Sequence, residues 1–171
     1  MSAATITLRR ATQADAPALQ AILNEVIEDG VAFVYDEVKS VDETRAMWLT
    51  PPTEAFVACD DGDCEGSGEV VGAYLLKPNF PGRGSHIANA TYMVKHNQHG
   101  RGIGRLIGEH SLQQARSAGY HGLQFNAVVS TNRAAVALWE SLGFTRIGTV
   151  PGGFRLDDGR LVDLYVMFQA L

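Results

Sequence analysis

Glycine stands at every second position of His99-Gly100-Arg101-Gly102-Ile103-Gly104-Arg105, and no other feature restricts this chain as much. A β-rich run over residues 86–94 precedes it, and an amphipathic stretch from about 101 to 118 follows with helical spacing. Lacking Cβ atoms, the backbone can curl tightly there and present consecutive N–H groups. A helix opening at the turn leaves its first N–H donors without intrahelical partners and points its positive dipole end outward. A pyrophosphate suits such a place, and Arg101 and Arg105 can add positive charge. Two other phosphate loops do not fit. Counted from Gly100 and Gly102, the third glycine of a dinucleotide fingerprint falls at Arg105; counted from Gly102 and Gly104, it falls at Ile107. A Walker A loop needs Gly-Lys followed by Ser or Thr, and the turn holds no lysine. By itself the motif leaves open a strand-to-helix turn that binds nothing.

The remaining residues read as parts of one domain, 1–171. Ile6 and Leu8 alternate with polar neighbours and begin a strand. Asp15 or Thr12 can cap a helix whose stripe is Leu19, Ile22, Leu23, Val26 and Ile27, and Gly30 stops it. Ser40 with Glu43 forms a capping-box pattern for a shorter helix bearing Met47 and Trp48, halted by Pro51-Pro52. Residues 55–59 and 69–76 read as an antiparallel hairpin. Beyond the glycine-turn helix come a strand over 123–129 and a helix from about 132 to 142, closed by Gly143. Two last strands lie near 145–150 and 161–168. Strands in series, then strand–helix–strand–helix–strand, predict a mixed α/β (α+β) sheet with a parallel portion at its centre.

Charge narrows the function. Lys and Arg total 14 against 19 Asp and Glu, a net −5, which argues against holding nucleic acid by bulk charge. No apolar run is long enough to span a bilayer, and the N-terminal residues lack the apolar core of a secretory signal. A soluble, cytoplasmic protein is expected. Cys59 and Cys64 accompany an acidic stretch, with a spacing that matches neither zinc nor redox motifs. They read as a strand-end thiol and a loop thiol, residues 60–69 read as a solvated loop tip, and no metal site is expected.

Ser130-Thr131-Asn132 opens the later helix, with Ala135, Leu138, Trp139 and Leu142 as its inner stripe. Together with the glycine turn, Asn132-x-x-Ala135-x-x-Leu138-Trp139-x-x-x-Gly143-Phe144 resembles the GCN5-related N-acetyltransferases (GNAT). The resemblance spans most of the chain. It implies a mostly antiparallel sheet of six to seven strands with a central parallel, splayed pair and about four helices. It also implies acetyl-CoA as co-substrate, with no metal. On that likeness Gly100, Arg101, Gly102, Ile103, Gly104 and Arg105 bind the pyrophosphate, the backbone of Tyr92, Met93 and Val94 bonds the pantetheine, and Asn132 contacts the thiol arm. A backbone N–H at Val94 would stabilise the oxyanion. Two positions depart from the pattern. His99 stands where Gln or Arg is usual. Trp139 stands where a tyrosine is often assigned as the acid for the leaving thiolate, and an indole N–H cannot be that acid.

Further stretches are similar to a narrower branch, the azetidine-2-carboxylate and proline-analogue N-acetyltransferases. They are Lys77-Pro78-Asn79, the run from Gly82 to Ala90, Gln124-Phe125-Asn126, Val128 to Asn132, and Trp139 itself. In that branch one asparagine holds the substrate carboxylate and a second orients the reacting amine; Asn89 and Asn126 stand at those positions. An amide can donate to a carboxylate and accept from an amine, so one residue type suits both tasks. The structural alternative is that each amide satisfies a bulge or a neighbouring backbone group. His86 is a weaker candidate for proton relay, while His110 and His121 read as packing or surface residues. The expected function is direct acetyl transfer from acetyl-CoA to the amine of a small amino acid or proline analogue. Rival readings are another amine acceptor (aminoglycoside, polyamine, phosphinothricin or protein N-terminus) and a non-catalytic acyl-CoA-binding module. Expected partners are acetyl-CoA and a small-molecule amine, without nucleic acid or membrane. Dimers are common in the resembled family, so a homodimer is one expected assembly.

Overall fold

The protein is described by a computed structural model covering residues 5–60 and 68–171. Strand β1 (Thr7–Arg10) leads into helix α1 (Ala16–Asp29), which ends where Gly30 turns left-handed at φ 65°. The capping box at the next helix, α2 (Val41–Trp48), is formed as expected. Glu43 N–H donates to Ser40 Oγ at 3.2 Å, and Ser40 N–H donates to Glu43 Oε2 at 2.7 Å. Strands β2 (Glu54–Cys59), β3 (Val70–Pro78) and β4 (Ile87–Val94) follow, then α3 (Ile103–Ser117), β5 (Gly122–Val129) and α4 (Arg133–Ser141). The chain closes with β6 (Thr145–Arg155) and β7 (Leu161–Ala170). β6 runs five residues past the expected end. It continues through register irregularities in which Gly152 takes φ 61° and its N–H donates to Asp163 Oδ1 at 3.0 Å.

The seven strands lie in the order β1-β2-β3-β4-β5-β7-β6. Every neighbouring pair is antiparallel except β4 and β5. Helices cover both faces. On one, Leu19, Ile22 and Leu23 of α1 and Trp48 of α2 bury against Val57, Ala73, Leu75 and Met93. On the other, Ile103, Ile107 and Leu112 of α3 and Trp139 of α4 bury against Phe56, Tyr74, Ala88, Phe125 and Met167. Each such aliphatic side chain contributes about 1.5–3 kcal/mol by leaving water. At one edge of this frame Arg9 grips Asp15 through two bonds of 2.8 and 2.7 Å, while the Thr12 N–H donates to the same carboxylate at 2.6 Å.

One expectation about a side chain needs correcting. Cys59 is disulfide-bonded rather than a free thiol; Cys64 and most of the acidic loop lie outside the described residues. His86 is exposed and pairs its ring edge-on with exposed His121 at 5.8 Å, at the end of β4 remote from the glycine turn. Among the described residues no helix is long and apolar enough to cross a membrane, and no cluster of His, Cys, Asp and Glu could hold a metal ion.

Candidate active site

The parallel pair at the sheet centre is short. β4 and β5 match only at Ile87–Gly122, Ala88–Leu123 and Asn89–Gln124, and beyond that they part. Ladder alternation decides which backbone groups are left facing the gap. Asn79 N–H bonds Ile87 O at 2.8 Å and Lys95 N–H bonds Val71 O at 2.9 Å. Hydrogen-bonded positions recur every second residue in an antiparallel pair, so residues 87, 89, 91, 93 and 95 turn their backbone to β3. Ala90, Tyr92 and Val94 therefore present N–H and C=O to the gap, whereas Met93 does not. The Met93 side chain is 2% exposed in the α1–α2 core. His99 closes one of these groups, its Nε2 donating to Val94 O at 3.3 Å.

A cavity of about 440 Å³ runs through the gap from one sheet face to the other. Tyr92, Phe125, Ala135 and Trp139 wall it on the α4 side; Leu23, Trp48, Leu75, Asn89 and Asn126 wall it on the α1 side. Asn132 joins them, so five residues singled out from the sequence (Asn89, Tyr92, Asn126, Asn132 and Trp139) meet at one place.

The two asparagines sit at structural irregularities. Asn89 occupies the last paired position and donates Nδ2 to the Gln124 carbonyl at 3.0 Å, across the point where the strands part. Asn126 lies where the β5–β7 register slips between Phe125 and Val128, a bulge that turns it outward to an exposed position. Its Oδ1 accepts from Gln124 Nε2 at 2.9 Å and its Nδ2 donates to Asn79 Oδ1 at 2.7 Å, forming a chain of three side-chain amides. Asn132 caps α4, with Oδ1 accepting from Ala135 N–H at 3.2 Å; its Nδ2 has no partner among the described residues.

The aromatic wall on the α4 side has no group ready to give up a proton. Trp139 is 8% exposed, with ring centres 4.6 Å from Tyr92 and 4.8 Å from Phe125. The Tyr92 hydroxyl lies 2.7 Å from Ser111 Oγ, which itself donates to the Gly108 carbonyl at 2.7 Å. Ser111 has one hydrogen, so Tyr92 must be the donor in that pair and its proton points to Ser111. Burial pushes the Tyr92 phenol up, only partly opposed by the Ser111 bond. Nearby, Tyr74 and His110 share a 2.7 Å hydrogen bond in the packed core, where burial raises the phenol and lowers the imidazole.

At the other end of the gap the glycines divide their work. Gly100 and Gly102 have φ of 82° and 78°, and a Cβ added at either would meet no atom within 4 Å. Gly102 caps α3, and the first intrahelical bond runs from Leu106 N–H to Gly102 O at 3.0 Å. The amides of Ile103, Gly104 and Arg105 precede that bond and have no helical carbonyl to receive them. Gly104 serves packing instead, since a Cβ there would lie 3.3 Å from Leu138 of α4. Ile103 keeps its amide at the turn but sends its side chain, 2% exposed, under the sheet. The two arginines are engaged by the protein. Arg101 forks onto Asp60 at 2.6 and 3.1 Å and also bonds Gln98, and Arg105 reaches Ser141 Oγ at 2.7 Å. The turn is thus a concavity of peptide amides with open space before it, which fits a diphosphate through backbone donors.

Sequence reading missed the segment after Gly30. Ala32, Phe33, Val34 and Tyr35 line the cavity from a loop whose far end is pinned by Asn24, with Lys39 N–H donating to its Oδ1 at 2.8 Å. The available signal was an apolar run outside any regular element, with Val34 58% and Tyr35 40% exposed. Lys77 also lines the cavity, and the sequence had offered it only as one residue of a likeness.

A mixed sheet whose central parallel strands part beside a helix opened by bare amides defines an α/β protein built around a through-sheet cleft. The chain belongs to the acetyltransferase (GNAT) family, whose model matches residues 19–144. It is similar to a GCN5-related N-acetyltransferase from Kribbella flavida, at 38% identity and a TM-score of 0.89 over 97% of this chain and 98% of that one. The structure of yncA from Salmonella typhimurium, solved with its cofactor acetyl-CoA, is 25% identical, with a TM-score of 0.82 over 98% of this chain and 94% of that one. Among curated proteins, N-acetyltransferase aca1 of Schizosaccharomyces pombe is 39% identical over 98 residues. That stretch is 57% of this chain and 47% of the yeast protein, so the match spans about half of each.

Proposed function

We propose that the protein transfers acetyl from acetyl-CoA to the amine of a small amino acid of the proline-analogue kind, by direct attack in a ternary complex. The observation that carries this reading is the parting of β4 and β5, with one cavity joining both faces of the sheet at that point. Acetyl-CoA supplies the activated acyl group, and the family relative yncA, solved with that molecule, supports it as co-substrate. The amides of the 100–105 turn would hold the diphosphate, the gap-facing backbone of Ala90, Tyr92 and Val94 the pantetheine arm, and Asn132 Nδ2 its thiol end. The Val94 N–H is the donor proposed for the carbonyl oxygen on which charge develops, the effect that dominates acyl transfer. Asn89 and Asn126 would hold the acceptor from the opposite face, acting mainly through orientation.

Among the described residues the cavity wall contains no Asp, Glu or His. A base from the protein is therefore not part of the proposal; the amine enters neutral or loses its proton to water. The test is release of free thiol from acetyl-CoA with a panel of amines. Azetidine-2-carboxylate or hydroxyproline should outpace aminoglycosides, polyamines and peptide N-termini. A preference for any of those three would overturn the acceptor class.

A second reading has one observation in its favour. Trp139 and Tyr92 leave the α4 side of the wall without a free acidic proton, which suits a module that binds acyl-CoA and does not turn it over. Such a module would melt higher with coenzyme A yet release no thiol with any amine.

A further inference from the structure

The cavity's charge inventory is one-sided. Among the described residues that line it, Lys77 is the single Lys or Arg, and no carboxylate accompanies it. Lys77 is exposed at the end of β3, and it makes no ion pair or hydrogen bond among the described residues. Its neighbour across the ladder is Asn89. Residues 77 and 89 form a hydrogen-bonded pair, so their Cα atoms are about 5.5 Å apart and both side chains leave the same sheet face. That is also the face of Asn126, which reaches Asn79, two residues beyond Lys77 and just past the end of β3. One ammonium and a cluster of amide groups therefore look into a space whose described lining carries no carboxylate.

We infer that Lys77 is the specificity-determining residue of the acceptor site and binds the substrate's carboxylate. This rests on the acetyltransferase reading and narrows its acceptor. A polycation would bring ammonium groups beside Lys77 and find no anion in the wall, whereas an amino acid brings the missing charge. A lysine ammonium with an amide donor beside it makes charge-assisted bonds to both carboxylate oxygens. The amine, two bonds away from the carboxyl carbon, is then left toward the gap. Loss of one charged hydrogen-bond partner should cost about 10- to 100-fold in kcat/KM.

The experiment compares azetidine-2-carboxylate with azetidine-2-carboxamide, which keeps the ring and amine and removes the charge. Wild type should prefer the acid. Lys77→Met should raise KM for the acid about 30-fold, with kcat, the KM for acetyl-CoA and the kcat/KM for the amide each within about twofold. Lys77→Arg should retain the preference for the acid. Equal losses on acid and amide, or no loss on either, would overturn the assignment while leaving the acetyltransferase reading intact. Absence of thiol release from wild type with every amine is a different outcome: it removes the parent reading, and this one with it.

Discussion

The two ends of the β4–β5 gap are made of different materials. At the α3 end, the groups proposed to hold acetyl-CoA are peptide amides: the 100–105 turn, and the gap-facing backbone of Ala90, Tyr92 and Val94. Side chains there are absent, buried or bonded elsewhere, as Gly100, Ile103 and Arg101 illustrate. At the acceptor end the groups are side-chain amides and one ammonium, drawn from β3, β4 and β5 and roofed by a loop. Backbone recognition tolerates substitution of almost any residue that keeps φ and space. Side-chain recognition depends on individual residues. One end can remain constant across acceptors while the other varies, and this separates shared co-substrate binding from acceptor choice.

Four variants test that division, from the largest effect on kinetics to the smallest. Gly102→Val forces a branched side chain into a left-handed backbone at the α3 cap, where glycine alone is unstrained. A shift of about 1 Å in the turn is enough to cost about 100-fold. The KM for acetyl-CoA should rise by that order, with the acceptor KM unchanged; a rise in the acceptor KM alone would break the division. Asn126→Ala should do the reverse. Removing one orienting amide should lower kcat/KM for the acceptor about 20-fold and leave the KM for acetyl-CoA within about twofold in steady-state assays.

Trp139→Tyr sits on the border between the two ends. It removes part of a ring packed at 4.6 Å on Tyr92 and should cost about 1 kcal/mol of stability by thermal melting. Turnover should change by less than about fivefold, because a new phenol adds an acid only where protonation of the thiolate limits the rate. An increase in kcat of about tenfold or more would show that the missing acid is the bottleneck.

Asp15→Asn lies away from the gap and should leave both KM values alone. Burial pushes the Asp15 carboxyl up, but the Arg9 guanidinium and the Thr12 N–H outweigh it and hold it below its ordinary 3.8. With the folded value depressed, the stabilisation is present above the unfolded value and disappears as pH falls through the folded one. Wild type should therefore lose stability in acid below about pH 3.8, and the asparagine variant, already weakened by about 3 kcal/mol at neutral pH, should show less of that dependence. Identical acid unfolding curves would remove Asp15 as the cause.

Much of this was legible one residue at a time. The stripe of α1, its stop at Gly30, the Ser40–Glu43 cap and the α3 opening at the glycine turn all depend on contacts within a few residues. Asn89 and Asn126 were legible as amides out of place on central strands. Their partners were not: Asn126 bonds Asn79 from 47 residues away, and Asn89 bonds a carbonyl 35 residues away. The part of the cavity wall made by residues 32–35 escaped for the same reason, since it meets residues 40 to 100 positions away.

The order of residues alone determined where helices start and stop, which faces are apolar, and that one turn would expose its amides, because propensity, capping and periodicity act over short distances. The tertiary structure decided where β4 and β5 cease to pair, which backbone groups that leaves unclaimed, and that Lys77 would stand beside Asn89. Those facts arise from the meeting of strands remote in sequence, and the register between such strands is set by the packing of the whole sheet.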